Sequence, residues 1–392
     1  MECTLYLTEK CNLRCSYCYE GDSKRNKTLT IDKLHQTVAF IIKNNPEDEE
    51  IDLTFLGGEP LLNKKMIYET ISIIEESYNE SKSLFKFHIT TNGILIDERL
   101  VGLFKKYNFD VSISIDGDKY THNLNRISVS GKDVYEVIMG NMHLMKACDL
   151  DFSVRMTATS NNVEFLYFNI LYFYNMGIKK INIGIDNVGD WSKEDLTVLG
   201  EQYSLIDEFY LEEIVDSDEG IINLYDFKFS TFVAKTTPAY CSGGSKGHLV
   251  INSNGELYPC GYVVNDERWN IGSVDTDLDR KKFFDSIRSS VVKKSRCHEC
   301  DLAFTCSGAK CGFYNYMKTG KLNVNHDLTC KLERMLYNHN LYVIGELYRK
   351  EHRRLFRYLQ IAAAQGIELS PIMLDIIEKA KPIESREEQC IS

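Results

Sequence analysis

The chain has 392 residues, of which 43% are hydrophobic and 26% charged, and a formal net charge of −11. This composition is ordinary for a soluble globular chain of two or three domains, and the negative charge disfavours a nucleic-acid partner. The amino terminus lacks the basic and apolar segments of a signal peptide. The most apolar stretch, residues 165–174, is too short to span a bilayer. We therefore expect a cytoplasmic protein that has no contact with membranes.

Short apolar runs alternate with helical patterns through the first half of the chain. The runs predict six strands, at 4–8, 51–56, 85–91, 111–115, 152–157 and 181–185. Helical periodicity occupies 31–44, 64–78, 98–107, 135–146 and 163–176, and a further helix over 193–215 follows the last run. Such alternation predicts parallel strand–helix–strand units. Six units are too few for a closed eight-unit barrel, so we predict an α/β fold with an open, partial (β/α)6 barrel.

The sequence changes character after residue 215. An acidic break at 216–220 predicts a domain boundary, so the barrel is assigned residues 1–220. Residues 221–330 are rich in Gly and Cys and have little periodicity, which predicts a loop-rich domain that needs metal clusters as cross-links. Residues 331–392 have the pattern of a helical extension with a polar end.

Thirteen cysteines are many for a cytoplasmic chain, where structural disulfides are disfavoured. Metal ligation is the better interpretation. Cys11, Cys15 and Cys18 form the pattern CxxxCxxC directly after the first predicted strand. Because a [4Fe–4S] cluster normally takes four thiolates, three cysteines leave one iron open to a substrate or cofactor. A zinc site, which usually has four protein ligands when structural, is the weaker alternative.

Glycines and polar residues gather at the ends of the predicted strands, where the sites of barrel enzymes form. They are Gly57, Gly58, Glu59 and Pro60 after the second strand, Asn92 after the third, Ser114 and Asp116 at the fourth, Arg155 in the fifth and Ile183 in the sixth. Simple turns, a salt-bridged arginine and a core isoleucine are the alternative interpretations. The order of these residues along the strands favours a shared binding site.

The cysteine pattern, followed by the GGEP sequence of residues 57–60, resembles the radical S-adenosylmethionine (radical SAM) superfamily. The resemblance implies that Cys11, Cys15 and Cys18 hold a cluster whose open iron binds SAM, and that SAM is cleaved to a 5′-deoxyadenosyl radical. It implies that the GGEP residues hold the amino group of SAM. It implies that Ser114 and Arg155 contact the ribose and carboxylate of SAM and that Ile183 packs on its adenine. Asn92 and Asp116 are expected to make further contacts with SAM.

A second set of cysteines resembles the SPASM extension of peptide-modifying radical SAM enzymes. The resemblance implies two auxiliary [4Fe–4S] clusters, one held by Cys297, Cys300, Cys306 and Cys330 and the other by Cys241, Cys260 and Cys311. Two zinc ribbons are the alternative. The three-cysteine group has no obvious fourth thiolate, so we expect an open iron there or one that takes a substrate cysteine. The spacing from Cys306 to Cys311 is one residue longer than the family's usual spacing.

These features predict a peptide maturase of the sactipeptide or ranthipeptide type, which forms a thioether (or C–C) crosslink in a ribosomally made, Cys-containing precursor peptide. Its cofactors are expected to be SAM and three [4Fe–4S] clusters, and its electron donor a flavodoxin or ferredoxin. An anaerobic sulfatase maturase is the main alternative, although that family places Asp directly after the cysteine matched by Cys260, where this chain has Gly261. A small-molecule radical SAM dehydrogenase and a plain electron carrier are further alternatives. Since ten residues precede Cys11, we expect no leader-binding domain ahead of the barrel.

Overall fold

A twisted sheet of nine strands organises the described part of the chain. The structure is a computed structural model and describes residues 1–20, 26–45, 48–187, 189–217, 219–235, 248–276, 297, 300–306 and 311–380. The strands of this sheet are β1 (Glu2–Thr8), β3 (Ile51–Gly57), β4 (Phe85–Thr91), β5 (Asp110–Ser114), β7 (Ser153–Ala158), β8 (Lys180–Ile185), β9 (Ile221–Ile222), β10 (His248–Ile251) and β11 (Leu257–Tyr258). Two further strands, β2 (Leu13–Cys15) and β6 (Arg126–Ser128), form a separate antiparallel ribbon.

The six predicted strands are all present, and they lie side by side in the order β1, β3, β4, β5, β7, β8. Every neighbouring pair among them is parallel. The strands alternate between two faces: one face is apolar and includes the fully buried Leu5, Leu53 and Ile113, whereas the other carries polar, half-buried residues such as Thr54 and Ser112. The predicted α/β fold with an open (β/α)6 arrangement is confirmed.

The six predicted helices are present, and three short ones, at 119–125, 223–226 and 229–233, were not predicted. They are α1 (Ile31–Lys43), α2 (Lys65–Ser77), α3 (Glu98–Lys106), α4 (Lys119–Asn125), α5 (Tyr135–Ala147), α6 (Leu166–Asn175), α7 (Lys193–Phe209), α8 (Asn223–Asp226) and α9 (Phe229–Val233). Ser192 and Asp195 start α7 with a capping box, in which each side chain accepts from the other residue's backbone N–H. The predicted helix over 193–215 ends in a π-helical turn, Tyr210–Ile214.

The carboxyl-terminal part is helical, as predicted. It contains α10 (Gly312–Thr319), α11 (Asp327–Arg349), α12 (Arg353–Ala364) and α13 (Pro371–Ala380). Val343, Ile344 and Leu347 of α11 are fully buried in the same apolar core as the barrel strands. The extension is therefore packed onto the barrel. No helix in the described residues combines the length and apolarity needed to cross a membrane.

The main sheet continues beyond the boundary predicted at residue 220. β9 pairs with β8, and β10 pairs in parallel with β1 at the opposite edge. An exposed edge of β1 would leave a row of backbone groups unpaired. β10 pairs with those groups. The three-segment division by residue number stays a prediction, although the sheet is shared between the first two segments.

One buried arginine ties the carboxyl-terminal helices to the end of the barrel. Arg354 of α12 donates to the Asp226 carboxylate at 2.9 Å and to the carbonyl of Gly220 at 2.8 Å. It also donates to the carbonyl of Ser217. The side chains of Arg354 and Asp226 are 15% and 13% exposed, so this pair is largely shielded from water.

We expect Arg354→Ala to lower the free energy of unfolding by about 3 kcal/mol, because it leaves the Asp226 charge buried without its partner. Urea denaturation measures this change. Arg357→Ala, one turn away and exposed, is the control and is expected to change stability by less than about 0.5 kcal/mol. Equal urea midpoints for the two variants would contradict the assignment.

Candidate active site

The cysteine triplet lies where the parallel strands end. Cys11, Cys15 and Cys18 line a cavity of about 480 Å³. The predicted site residues that line the same cavity are Gly57, Gly58, Glu59, Asn92, Ser114 and Arg155. The fold therefore brings together the cysteines and the strand-end residues that the sequence singled out, although those residues come from five separate parts of the chain.

The two glycines at the end of β3 let the cysteine loop lie directly on the strand. The backbone N–H of Gly58 donates to Thr8 at 3.0 Å, and that of Glu59 donates to Lys10 at 2.8 Å. A Cβ atom on Gly57 or Gly58 would collide with the carbonyl oxygen of Thr8 or Lys10, respectively. Gly57 also has φ +136°, a conformation that side chains disfavour. These positions need glycine in order to place the loop, whatever ligand binds there.

The carboxylate of Glu59 joins the ends of β3 and β4. One oxygen accepts from the Thr91 hydroxyl at 2.6 Å and from the Leu61 N–H at 3.0 Å, and the other accepts from the Asn92 N–H at 2.8 Å. The residue is 1% exposed, and this burial raises the pKa of Glu59 against the opposing effect of its hydrogen bonds. Glu59 thus holds the site together and also lines its cavity.

Asp116 has a different position from the one expected for a cofactor contact. It accepts from Arg126 at 2.9 Å, from the Tyr17 hydroxyl at 2.7 Å and from the Thr157 N–H at 2.9 Å. It is 1% exposed and does not line the cavity. Because its carboxylate is occupied by three protein donors, Asp116 positions the cysteine loop through Tyr17, which stands between Cys15 and Cys18.

Arg126 is a buried, charged site residue that sequence reasoning missed. It is 7% exposed, lines the cavity, and lies with its guanidinium carbon 5.3 Å from the centre of the Tyr17 ring. It also pairs with Cys15 in the ribbon of β2 and β6. That ribbon is three residues long on each side, too short for an alternation signal, so nothing in the sequence linked Arg126 to Cys15.

Two other predicted residues lie outside the cavity lining. Ile183 is 4% exposed and packs in the core, whereas Gly184 and Ile185 line the cavity. Alternation along the strand puts Gly184 on the face opposite Ile183, whereas Ile185 lines the cavity from the last position of β8. Pro60 is buried at the start of a 3₁₀ turn, Pro60–Asn63, where its missing N–H costs nothing.

Arg155 supplies a positive charge to the cavity. Its side chain is exposed there and has no hydrogen-bond or ion-pair partner among the described residues. Ser114, on the neighbouring strand β5, lies opposite Arg155 in the pairing of β5 with β7. A guanidinium beside a hydroxyl at a strand end can bind a carboxylate or a ribose.

Four of the later cysteines surround a second cavity. Cys297, Cys300, Cys306 and Cys330, the group predicted to hold one auxiliary cluster, line a space of about 350 Å³. Within the described ranges, no three Cys, His, Asp or Glu side chains converge closely enough to hold one metal ion. The four cysteines predicted to hold one auxiliary cluster thus line one shared cavity.

The third predicted cysteine group is described in part, because Cys241 lies outside the described residues. Burial raises the pKa of Tyr262, and the nearby Cys311 and Cys260 raise it further. Tyr262 contacts Tyr19 edge-on with ring centres 5.4 Å apart, and Tyr314 at 6.1 Å. These three tyrosines line the main cavity and connect the first cysteine loop to the residues that follow Cys260 and Cys311.

Comparison with known proteins identifies the amino-terminal domain. Residues 5–162 match the sequence model of the Radical SAM superfamily. The chain contains a radical SAM domain. The chain is therefore an enzyme, and the domain implies SAM and a [4Fe–4S] cluster as cofactors.

The relatives extend the similarity beyond that domain. A cysteine-type anaerobic sulfatase-maturating enzyme of Clostridium perfringens (strain 13 / Type A) is 26% identical over 318 residues, which are 76% of this chain and 85% of the relative. The structure resembles native anSMEcpe with bound AdoMet, with a TM-score of 0.73 and 21% identity over 88% of this chain and 98% of that one. It also resembles Streptococcus suis SuiB bound to its precursor peptide SuiA, with a TM-score of 0.60 and 17% identity over 84% and 75%. At these identities the two structures establish the fold of this chain.

We expect Asp116→Asn to loosen the cysteine loop of this radical SAM domain. The amide leaves the buried Arg126 cation without a counter-charge, so the free energy of unfolding is expected to fall by about 3–5 kcal/mol. We also expect the anaerobically reconstituted protein to retain less iron. Urea denaturation and iron analysis measure the two effects.

Asp118→Asn is the matched control. Asp118 caps α4 by accepting from the N–H of Thr121, and Asn caps a helix about as well as Asp. If Asp116→Asn keeps the stability and iron content of this control, the ion pair does not hold the loop.

Proposed function

We propose that this radical SAM enzyme modifies a side chain of a peptide or protein substrate. The observation that carries the proposal is the extent of the main cavity, which reaches from the cysteine triplet and Arg155 to Tyr262 and Tyr314 beside the later cysteines. The hydroxyl of Tyr314 donates to the carbonyl of residue 187 at 3.1 Å, which fixes α10 against the end of β8. The sulfatase-maturating relative and the precursor-bound SuiB structure support a peptide as the substrate class.

The residues of the main cavity fit the cofactors that the domain implies. Cys11, Cys15 and Cys18 would hold the cluster by three thiolates, and Glu59 with its neighbouring backbone would hold the amino group of SAM. Ser114 and Arg155 would hold its ribose and carboxylate. When bound, the cluster and SAM supply the 5′-deoxyadenosyl radical that removes a hydrogen atom from the substrate. The chain's own part is to orient both molecules and to exclude water.

We also propose two auxiliary [4Fe–4S] clusters. The cavity lined by Cys297, Cys300, Cys306 and Cys330 supports the first, since four thiolates complete the coordination of such a cluster. The position of Tyr262 near Cys260 and Cys311 supports a second, with Cys241 as its third ligand. This second cluster would lie at the far end of the main cavity from Cys11, Cys15 and Cys18. A substrate cysteine in the cavity would then lie between these two cluster sites.

The first candidate reaction is a thioether (or C–C) crosslink in a Cys-containing precursor peptide. The residue after Cys260 supports it. Gly261 faces the hydroxyl of Tyr6, which a Cβ atom there would approach at 3.4 Å, and it offers no carboxylate to take a proton from the substrate. Sulfatase maturases, in contrast, place an aspartate at the matching position.

The second candidate is oxidation of a Cys or Ser side chain to formylglycine. The extent of the similarity to the sulfatase-maturating relative favours it, since that similarity covers 85% of the relative. Both reactions begin with removal of a hydrogen atom from the substrate and differ in what happens to the sulfur. A crosslink keeps the sulfur in the peptide, whereas conversion of Cys to formylglycine removes it.

Mass spectrometry of the product separates the two candidates. We expect anaerobically reconstituted enzyme with SAM and reductant to convert a Cys-containing precursor peptide, encoded beside its gene, to a product that keeps sulfur and lacks a pair of hydrogens. A sulfatase-derived Cys peptide tests formylglycine formation in parallel, and its Cys→Ala form is the control. SAM turnover with every peptide left unchanged would contradict a peptide substrate.

Iron analysis tests the auxiliary clusters separately. Three [4Fe–4S] clusters require about 12 irons per chain. Replacement of Cys297, Cys300 and Cys306 by Ala is expected to remove about four of them while the SAM-dependent change in the electron paramagnetic resonance spectrum remains. Cys148→Ala, at a half-buried cysteine outside the predicted groups, should keep the full iron content. Zinc in place of iron, or no loss in the triple variant, would refute these clusters.

A further inference from the structure

The two-stranded ribbon that carries Cys15 has one face toward the cavity and the other toward solvent. Leu13, Cys15 and Arg126 line the cavity. The alternate positions point outward: Arg14 is exposed, Ile127 is 53% exposed, and Val129 in the following turn is 55% exposed. Arg14 and Ile127 are directly paired across the ribbon, so their side chains lie together on its outer face.

This outer face is held firmly against the cysteine loop. The N–H of Ser16 donates to the carbonyl of Asn125 at 2.9 Å, and the N–H of Val129 donates to that of Asn12 at 3.0 Å. The Ser16 hydroxyl also donates to the Asn125 side chain at 2.7 Å. A single layer of β-structure therefore separates Cys15 from any protein seated on the ribbon.

From this geometry we propose that the outer face, formed by Arg14, Ile127 and Val129, is the docking surface for a small acidic electron-transfer protein. Reductive cleavage of SAM requires an electron from outside the chain: the donor loses one electron, and SAM gains it as its sulfur–carbon bond breaks to give methionine and the radical. The opposite side of the cysteine loop is the cavity that SAM and substrate must fill. The ribbon leaves a separate and short route for the electron.

The composition of the face favours an acidic partner. Arg14 has no ion-pair or hydrogen-bond partner among the described residues. An unpaired arginine beside two exposed β-branched side chains, in a chain of net charge −11, presents a local positive charge around an apolar centre. Arginine and apolar groups are typical of interface centres, and small, transient interfaces are typical of electron-transfer partners.

The test compares a protein electron donor with a chemical one. Formation of 5′-deoxyadenosine from SAM is measured without peptide, using either a reduced bacterial flavodoxin or dithionite. In Arg14→Glu, Ile127→Glu and Val129→Glu, we expect the flavodoxin concentration for half-maximal rate to rise about tenfold, because a negative charge placed on this face weakens its encounter with an acidic partner. The dithionite-driven rate is expected to stay within twofold of the wild type.

Leu374→Glu, at a residue of α13 that is 53% exposed, is the matched control and should leave both rates unchanged. For the wild type, added salt should raise the half-saturating flavodoxin concentration. Arg14 lies inside the cysteine motif, so Arg14→Glu could also lower the dithionite-driven rate. In that case Ile127→Glu and Val129→Glu, which lie outside the motif, test the docking surface.

Two results would overturn the proposal: an unchanged dependence on flavodoxin in Ile127→Glu and Val129→Glu, or the same unchanged dependence together with a raised peptide requirement in a separate assay that contains a substrate peptide. The second result would make the ribbon a peptide-binding surface. Because the assay uses SAM alone, its outcome depends on the radical SAM domain and does not depend on which peptide the enzyme modifies.

Discussion

The position of the cysteine loop depends on a direct backbone contact between residues 8–10 and residues 57–59. The two strands approach so closely there that glycine is required at positions 57 and 58. Glu59 then fixes the end of β3 to the end of β4 through the Thr91 hydroxyl and the Asn92 N–H. Since the loop has little apolar surface of its own, this contact and the sheet beneath it determine where the three thiols lie.

A second constraint acts from the other side of the loop through buried charge. Asp116 and Arg126 are 0% and 7% exposed at their side chains, and such a pair is stable when further hydrogen bonds satisfy its remaining atoms. Tyr17 and the backbone of Thr157 provide them for Asp116. The neighbouring His122 does not compete for the carboxylate, because burial and the Arg126 cation lower the pKa of His122 to about 4 and keep it neutral. The loop is thus held between an uncharged backbone contact and an ion pair.

Much of this arrangement follows from local sequence, and some of it does not. The six strands and their helices were predictable because each has a clear periodicity, and the cysteine triplet and residues 57–59 were recognisable from spacing. Arg126 was missed because its partners, Asp116, Tyr17 and Cys15, meet it through tertiary contacts. Ile183 was predicted to contact the cofactor, but its neighbour Gly184 lines the cavity instead. Periodicity identifies a strand but does not say which of its faces is turned toward the site. The pairing of β10 with β1 joins residues about 250 positions apart, which no local pattern reveals.

The ribbon of β2 and β6 connects these constraints to the proposed chemistry. Its inner face contributes a predicted cluster ligand, Cys15, and a buried cation, Arg126, while its outer face presents Arg14 and Ile127 to solvent. Because successive side chains of a strand point to opposite faces, residues one position apart belong to different sides of the ribbon. One short antiparallel pairing can therefore keep the radical chemistry in a protected cavity and still leave the cysteine loop within reach of an electron donor. The proposed peptide substrate would enter the cavity, whose wall includes Tyr262 and Tyr314. Such a division lets substrate binding and electron delivery occur at once without competing for the same surface.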